Sequence, residues 1–274
     1  PMKKVYALFT GDFHVGGFRS IFPPRFEVTV GPTDQDRQVW PLTIAQQYLY
    51  SCYQDMLSKL PNEIALFLMG DLIQGHRDPW ATKLCALDMQ DQRLAAAELL
   101  KPLVKKAKRT YICTGTKYHQ TDYSDLEACI ARDLGAKYAH VHNVKILNKV
   151  INALHGHSSV QDYPSTPLER ELADSIIKAK LGQAPDADII VRGHIHPDSF
   201  SPLVRYGKIA FFTPCWQIAD DFITTRKARY YRSIPIFGAI LAEITEEPMT
   251  QGIHLKPLIY RSPREETKVE TFET

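Results

Sequence analysis

The sequence predicts a layered α/β domain. Short apolar runs, rich in β-branched residues, alternate with longer segments that have helical periodicity and helix-capping residues. Runs of this apolar kind are typical of strands that are buried on both faces. Since the alternation extends over most of the 274 residues, we expect one or more sheets covered by helices around a substantial core.

The individual elements follow from this pattern. We predict strands at residues 4–10, 63–70, 109–115, 149–156, 188–193, 207–214, 236–245 and 253–260. We predict helices at residues 42–60, 82–108, 124–135 and 167–182. Ser124 and Thr166 are the expected N-caps, and Gly135 and Gly182 the expected C-terminal stops. Pro102 is expected to kink or divide the second helix.

The composition is that of an ordinary globular protein. Hydrophobic residues make up 44% of the chain, charged residues 23%, and the formal net charge is only +2, which does not by itself indicate a nucleic-acid-binding protein. The five cysteines are scattered without a C-x-x-C pair, so no disulfide framework or zinc knuckle is expected. The sequence shows neither a membrane span nor a signal-peptide pattern. We therefore predict a cytoplasmic protein without a membrane partner.

Aspartate and histidine residues follow five of the predicted strands. In chain order they are Asp12 and His14, Asp71, His119, His155 and His157, and His194 and His196. Ligand sites in α/β proteins form where strands reach their carboxyl ends, and the glycine beside each group is expected to let the backbone turn sharply there. Carboxylates together with imidazoles suit Mn, Fe or Zn better than Mg or Ca. The pattern predicts two divalent metal ions, a centre that activates water for displacement at phosphorus.

Four short motifs carry a family resemblance. The stretches "GDFH", "GDLIQG", "HGH" and "GHIH" occur in this order between residues 11 and 196, and they resemble the motifs of calcineurin-like metallophosphoesterases. The resemblance implies a β-sandwich flanked by helices, in four αββα layers. A single domain is expected over residues 1–262, and the charged residues 263–274 are expected to form a C-terminal tail.

The resemblance also implies a ligand set. Asp12, His14 and His196 would hold one metal ion, and Asp71 would bridge both ions. His155 and His194 would hold the second ion.

The third motif departs from the family pattern. The family usually has G-N-H-[DE], whereas this chain has Gly115, Thr116, Lys117, Tyr118 and His119. A threonine hydroxyl is a weak ligand for a divalent ion, so His119 either takes the vacant coordination position or acts as the general acid for the leaving group. This G-T-x-x-H variant resembles that of phage and mobile-element proteins.

The activity implied by the resemblance is that of a metal-dependent phosphoric ester hydrolase. We expect a phosphate-ester substrate, with phosphodiesters favoured because no large arginine cluster for a dianionic monoester is evident. A nucleotide or nucleic acid is a possible substrate class. Arg19 is a candidate contact to phosphate, Tyr118 an aromatic wall for a base, and His157 a further substrate contact.

Two alternative functions remain open from the sequence. A nuclease of the same fold would bind DNA or RNA through the basic runs at residues 101–109 and 224–232. A non-catalytic, metal-binding interaction module is favoured by the missing asparagine and opposed by the six retained aspartate and histidine ligands.

Overall fold

Two β-sheets lie at the centre of the computed structural model, which describes residues 3–33, 35–76, 84–119, 125–156, 165–218 and 235–262. The strands in these ranges are, in chain order, β1 (Val5–Thr10), β2 (Glu27–Thr29), β3 (Arg37–Val39), β4 (Ile64–Leu68), β5 (Ala107–Cys113), β6 (Lys137–Ala139), β7 (Val141–Ile146), β8 (Lys149–Leu154), β9 (Ile189–Arg192), β10 (Leu203–Arg205), β11 (Lys208–Phe212), β12 (Phe237–Ile244) and β13 (Ile253–Tyr260). The helices are α1 (Ile44–Lys59), α2 (Met89–Lys105), α3 (Leu126–Asp133) and α4 (Ser165–Lys180).

The two large sheets differ in their strand order. The first has the order β13-β12-β1-β4-β5-β6, and the second has the order β10-β11-β9-β8-β7. Strands β1, β4, β5 and β6 run parallel to one another, as do β8, β9 and β11, whereas β12 is antiparallel to β1. Strands β2 and β3 form a separate two-stranded ribbon. All the strands that precede the predicted ligands therefore belong to the parallel parts of the two sheets.

Three apolar cores separate four layers. Leu8 of β1 packs in a core with residues of α1, α2 and α3, while Phe9 packs with Phe67 and Phe211 between the two sheets. Successive strand side chains point to opposite faces, so β1 serves both cores. On the outer face of the second sheet, Leu168 and Leu172 of α4 complete the third core. The predicted αββα sandwich is thus the observed fold.

The second helix is shorter than predicted. It begins at Met89, since the Asp88 side chain caps it by accepting the Gln90 N–H, and it ends at Lys105. The sequence prediction of a helix over 82–108 was wrong at its C-terminal end, because β5 already begins at Ala107 and pairs with β4. A kink at Pro102 stays a prediction, but the expected alternative, a division of the helix at Pro102, was wrong. The helix continues past it as one element, and buried leucines on either side, Leu99 and Leu103, pack in the core below.

The other helix ends follow the sequence closely. Gly135 and Gly182 follow α3 and α4 with φ of +64° and +69°, as expected of helix-stopping glycines. Asp125 caps α3, and Ser124 lies outside the described residues. Thr166 is the second residue of α4 rather than its N-cap, because the helix already includes Ser165.

The described part of the chain contains no helix that is both long and apolar enough to cross a membrane. The tail at 263–274 and the basic run at 224–232 lie outside the described residues.

Candidate metal centre

The carboxyl ends of five parallel strands meet at one place. Strands β1, β4 and β5 arrive from the first sheet, and β8 and β9 arrive from the second. The sequence predicted only that the candidate ligands would lie at the carboxyl ends of strands. The structure places these ends where the corresponding edges of two packed sheets adjoin, so the site includes ligands from both halves of the sandwich.

Seven aspartate and histidine side chains form three overlapping groups there. Within each group the potential ligand atoms all lie within 4.8 Å of one another. The groups are Asp12, His14 and His196; His14, Asp71 and His119; and Asp71, His155 and His194. Because His14 and Asp71 each belong to two groups, the three groups are one continuous cluster.

The first group is arranged around Asp12. The Nε2 atom of His196 lies 3.2 Å from Asp12 Oδ1 and 3.1 Å from His14 Nε2. Both oxygens of Asp12 also accept the main-chain N–H of His194, at 3.2 and 3.1 Å. Asp12 has an exposed fraction of 0%, and a carboxylate buried so completely needs compensating positive charge. These atoms fit a divalent cation among them.

The third group is arranged around Asp71. Its Oδ2 atom lies 3.0 Å from His155 Nε2 and 3.6 Å from His119 Nε2. Its Oδ1 atom accepts the main-chain N–H of Thr116 at 2.6 Å, and the Thr116 hydroxyl lies 3.1 Å from both oxygens. The Thr116 N–H thus binds one oxygen, while the other oxygen contacts the Thr116 hydroxyl and faces the histidines. From the sequence alone, Thr116 is only a weak candidate ligand. Its hydrogen bonds show that it instead orients the Asp71 carboxylate.

The orientation of His155 fits metal coordination. Its Nδ1 atom contacts the main-chain carbonyl oxygen of Met69, and since a carbonyl only accepts, Nδ1 must carry the hydrogen. This leaves Nε2 as the atom turned towards Asp71. Although it lies close to that carboxylate, Nε2 has no hydrogen bond of acceptable geometry among the described residues, and the same holds for Nδ1 of His14. Buried nitrogens without hydrogen-bond partners, next to carboxylates, fit a metal site.

The main chain turns sharply at the ligands themselves. Asp12, His14, Asp71, His194 and His196 have φ values of 51°, 48°, 48°, 70° and 49°. Residues other than glycine rarely adopt this left-handed region, and such conformations cluster at functional sites. The sequence predicted that neighbouring glycines would provide the turn. This is confirmed at Gly70 and Gly156, beside Asp71 and His155, which have φ of 88° and 94°. At the five positions above, however, the aspartate or histidine itself also adopts the left-handed conformation.

Two of the neighbouring glycines are needed for close approach instead. A Cβ atom on Gly115 would lie 2.3 Å from Asp71 Oδ1, and one on Gly193 would lie 2.9 Å from Asp12 Oδ2. Neither glycine has the positive φ that glycine alone adopts freely. Both are therefore required because the carboxylates pack directly against the main chain.

His119 lies beside His14 and Asp71 in the cluster. It forms a group with His14 and Asp71, and no group within the described residues joins it to His155 or His194. Its Nδ1 atom contacts the main-chain carbonyl of Gln74, and its ring centre lies 4.5 Å from that of His14. His119 is therefore next to the shared Asp71 and to the Asp12 group.

The three candidate substrate contacts have different outcomes. Tyr118 is 44% exposed and its ring lies edge-on to His119 at 5.2 Å, so it borders the metal centre. Arg19 is exposed on the loop after His14, and its main-chain carbonyl accepts the Ile218 N–H. His157 lies outside the described residues. Their roles as substrate contacts stay predictions.

The electrostatics of the cluster favour a cation. Burial by itself would raise the pKa of Asp71, but His155 and His119 outweigh it and hold that pKa well below its usual value. Burial would likewise lower the pKa of His155, but Asp71 and then Asp12 raise it to about 10. Burial, assisted by the nearby charge of His155, lowers the pKa of His194 to about 4. Asp71 therefore requires a neighbouring positive charge, which a metal ion or a proton on His155 would provide.

Sequence reasoning missed Glu127. This residue of α3 is only 1% exposed, and its carboxylate accepts the main-chain N–H groups of Leu72 and Gly115. Burial, followed by the charge of Asp71, raises the pKa of Glu127 to about 7. The available signal was an acidic residue in the first turn of a short amphipathic helix, on the face that also carries Ile130, where an apolar residue would be expected.

The comparisons with known proteins are structural. No family profile matches the chain, and no curated protein matches its sequence. Solved structures of similar shape include wild-type Vps29 complexed with zinc from Entamoeba histolytica, at 15% identity and a TM-score of 0.45, covering 94% of this chain and 99% of that one. Others are an archaeal phosphodiesterase (8% identity, TM-score 0.45, coverage 94% and 99%) and a predicted phosphoesterase from Streptococcus pneumoniae (10% identity, TM-score 0.40, coverage 95% and 99%). Since each TM-score is below 0.5, the interpretation of the site depends on this chain's own residues.

Proposed function

We propose that the protein is a metal-dependent phosphoric ester hydrolase that acts on phosphodiesters with two divalent ions of the Mn, Fe or Zn type. The observation that supports this most directly is the continuity of the three ligand groups through His14 and Asp71. A single site would need only one such group, whereas a chain of groups with a shared carboxylate suits two neighbouring ions. Two bound ions would activate water and neutralise the charge that develops on the phosphate.

The chain's own residues would have distinct roles in this proposal. Asp12, His14 and His196 would hold one ion, and His155 and His194 the other. Asp71 would be shared, with Oδ2 facing the histidines and Oδ1 held by Thr116. Thr116 would keep the shared carboxylate in one orientation as charge changes during the reaction, which avoids reorganisation at the moment of displacement.

His119 has two roles compatible with its position. With its Nδ1 hydrogen directed at Gln74, Nε2 is the nitrogen that faces Asp71, at 3.6 Å. An unprotonated Nε2 would be a ligand, and a protonated Nε2 would donate to a leaving group. We favour the ligand role, because His119 offers a ring nitrogen within 4.8 Å of potential ligand atoms of both His14 and Asp71.

The preference for diesters is supported by Arg192, the arginine nearest in sequence to His194 and His196, because its guanidinium is not available to bind a phosphate. Arg192 comes two residues before His194, but it is 4% exposed and donates to Glu171 and to the carbonyl oxygens of Asn152 and Val191. Its guanidinium is thus committed to structure. A dianionic monoester usually requires additional cations beyond the metals, whereas a monoanionic diester requires fewer.

The nuclease alternative receives no support from the basic run at 101–109. Its residues occupy the end of α2 and the start of β5, and β5 runs from there towards His119. Seven strand residues span about 20 Å, so the run lies at the opposite end of the strand from the ligands. The Lys106 ammonium also donates to the Leu60 carbonyl, which is a structural role at the end of α1.

Hydrolysis assays test the proposed function. The metal-free protein should hydrolyse bis-p-nitrophenyl phosphate only after Mn²⁺ is added, and it should prefer this diester to p-nitrophenyl phosphate. A chelator should abolish the activity, and excess Mn²⁺ should restore it. A protein that binds two ions per chain but hydrolyses neither ester nor DNA would contradict the enzyme and support the interaction module. Preference for DNA over the small diester would support the nuclease.

A further inference from the structure

The buried Glu127 joins the ends of two strands that lead to the metal centre. Its Oε1 atom accepts the main-chain N–H of Leu72 at 2.8 Å, and its Oε2 atom accepts the main-chain N–H of Gly115 at 2.7 Å. Leu72 follows β4, and Gly115 follows β5. Both N–H groups are past the end of regular strand pairing, where a buried donor without a partner would be costly.

Each of these two N–H groups belongs to a residue next to Asp71 or next to Thr116, which binds the Asp71 carboxylate. Leu72 directly follows Asp71, whose own main chain is in the left-handed region with φ of 48°. Gly115 directly precedes Thr116, which donates its N–H and hydroxyl to the Asp71 carboxylate. Glu127 therefore supports Asp71 from two directions, through its main chain and through the residue that orients its side chain.

Of glutamate, glutamine and aspartate, only glutamate can accept hydrogen bonds from the N–H groups of both Leu72 and Gly115. Glutamine has the same shape but a single oxygen acceptor, so its NH₂ group would face one of the two N–H groups. Aspartate keeps two acceptors but is shorter by one methylene. Glu127 also belongs to none of the potential metal-ligand groups in the described ranges, so its connection to the ions is indirect.

We propose that Glu127 is a positioning residue for Asp71, the carboxylate shared by the two metal sites, and that it sets metal affinity through Asp71 without coordinating an ion. This inference rests on the proposed function, because it assumes that Asp71 binds the ions. Loss of an outer partner of a metal ligand typically costs about 10–100-fold in affinity. Since Asp71 is shared, both ions should be affected.

The test compares Glu127→Gln with a matched variant, Asp91→Asn. Asp91 is 2% exposed, lies on α2, and likewise accepts a main-chain N–H, that of Thr29 at 2.7 Å, as well as a hydrogen bond from Arg37 at 2.9 Å. It belongs to none of the ligand groups found among the described residues. Each full-length protein, freed of metal, would be titrated with Mn²⁺ by calorimetry near pH 8, and its thermal unfolding would be measured without metal.

We expect both variants to lower the melting temperature of the metal-free protein, and only Glu127→Gln to weaken Mn²⁺ binding, by about 10–100-fold. Equal destabilisation with unchanged Mn²⁺ affinity would show that Glu127 is merely structural and would overturn the inference. If Glu127→Gln does not fold, Glu127→Asp serves instead. Weaker Mn²⁺ binding would support the inference, and wild-type affinity would overturn it.

The wild-type titration separates this inference from the proposed function. A wild-type protein that takes up no Mn²⁺ would overturn both. A wild-type protein that binds Mn²⁺, together with a Glu127→Gln variant of equal affinity, would overturn the inference and leave the proposed function standing.

Discussion

His119 is oriented by the main-chain carbonyl of Gln74, which accepts a hydrogen bond from its Nδ1 atom. This carbonyl is held in place by the next residue, Gly75, which makes two hydrogen bonds with the Gln92 side chain. The Gly75 N–H donates to Gln92 Oε1 at 2.9 Å, and Gln92 Nε2 donates to the Gly75 carbonyl oxygen at 3.3 Å. A histidine whose Nδ1 hydrogen is committed in this way presents Nε2 as its ligand atom. The Gln92 side chain, on α2, thus supports the loop whose carbonyl fixes this tautomer.

His119→Ala distinguishes the ligand from the general acid. In the ligand role, the variant should bind metal more weakly and should lose activity on activated and unactivated diesters alike. In the acid role, metal content should be unchanged, and turnover should fall on the order of 10²–10⁴-fold only where the leaving group needs a proton. Metal stoichiometry and both rates, measured on one sample, decide between them. His254→Ala, at an exposed position of β13, is the control, and a His119→Ala protein that matches it in every respect would exclude both roles.

Asp71→Ala should weaken both metal ions and abolish hydrolysis. Asp71 is the carboxylate shared by two ligand groups, so its loss should cost more than the roughly 10–100-fold that removal of an outer partner costs. Elemental analysis after equilibrium dialysis measures the metal content. Asp55→Ala, which removes an exposed carboxylate of α1, should retain both ions. An Asp71→Ala protein with two ions per chain and full turnover would contradict the shared role.

Gly115→Ala should disrupt the centre although it adds only a methyl group. The new Cβ atom would lie 2.3 Å from Asp71 Oδ1 and 2.4 Å from the Asp71 main-chain nitrogen, so Asp71 must move. Gly135→Ala is the comparison, because nothing lies within 4 Å of its Cβ position and only its φ of +64° is unfavourable. Gly135→Ala should lower the free energy of unfolding by about 1 kcal/mol and leave the affinity for Mn²⁺ unchanged. Mn²⁺ titration of both variants tests the difference, and equal metal affinity would contradict it.

Metal binding should release protons and strengthen as the pH rises. Asp71 and Asp12, against the effect of burial, raise the pKa of His155 to about 10, so His155 is protonated at neutral pH until an ion replaces the proton. Mn²⁺ affinity should then rise by up to tenfold per pH unit between about pH 7 and about pH 9. Calorimetry in buffers of different ionisation enthalpy counts the released protons. No release in this range would contradict a ligand role for His155.

The raised pKa of His155 should also make the metal-free protein less stable as the pH rises. A histidine whose pKa is raised by folding contributes stability below its ordinary value of 6.5, and this contribution is lost as the pH rises through about 10. The stability that His155 gives to the metal-free protein should therefore fall between these values, while the metal-bound protein is protected. Unfolding of both forms across this range, compared with a His155→Gln variant, measures the contribution.

Mn²⁺ should raise the melting temperature. An ion that binds only the folded protein stabilises it by about 2.7 kcal/mol at a concentration of 100 times its dissociation constant. For a protein of this size this corresponds to a shift of roughly 5–10 °C. Differential scanning fluorimetry with and without a chelator is the measurement, and the Asp71→Ala protein should show a much smaller shift. An equal shift in both proteins would point to binding elsewhere.

The main features of the fold and most of the ligand candidates were predictable from short-range signals. Asp12 and His14, or His194 and His196, stand directly after apolar runs, so a local pattern indicates their place at strand ends. The division of the strands between two sheets is not a local property, since largely apolar strands such as β4 and β9 occur in both sheets. The sequence therefore predicted the strand-end ligands but not their position between two sheets.

The supporting residues were not predictable in the same way. Glu127 and Gln92 act on main-chain groups 55 and 17 residues away, and nothing in their own neighbourhoods specifies these partners. The side of the cluster on which His119 lies depends on the carbonyl of Gln74, 45 residues earlier in the chain. Such contacts depend on the assembled fold, and residue type alone leaves their partners open.

The pairing of β1 has a consequence for protein synthesis. The loop that carries Asp12 and His14 follows β1, which lies between β4 and β12, and Asp12 contacts His196 across 184 residues of sequence. Because the ribosome releases the N-terminus first, a nascent chain already exposes its first two ligands while most of the others are still to be made. The strand before them, β1, gains its second neighbour, β12, only when residues up to 244 have emerged from the ribosome. The full set of candidate ligands therefore exists only after His196 has been synthesised.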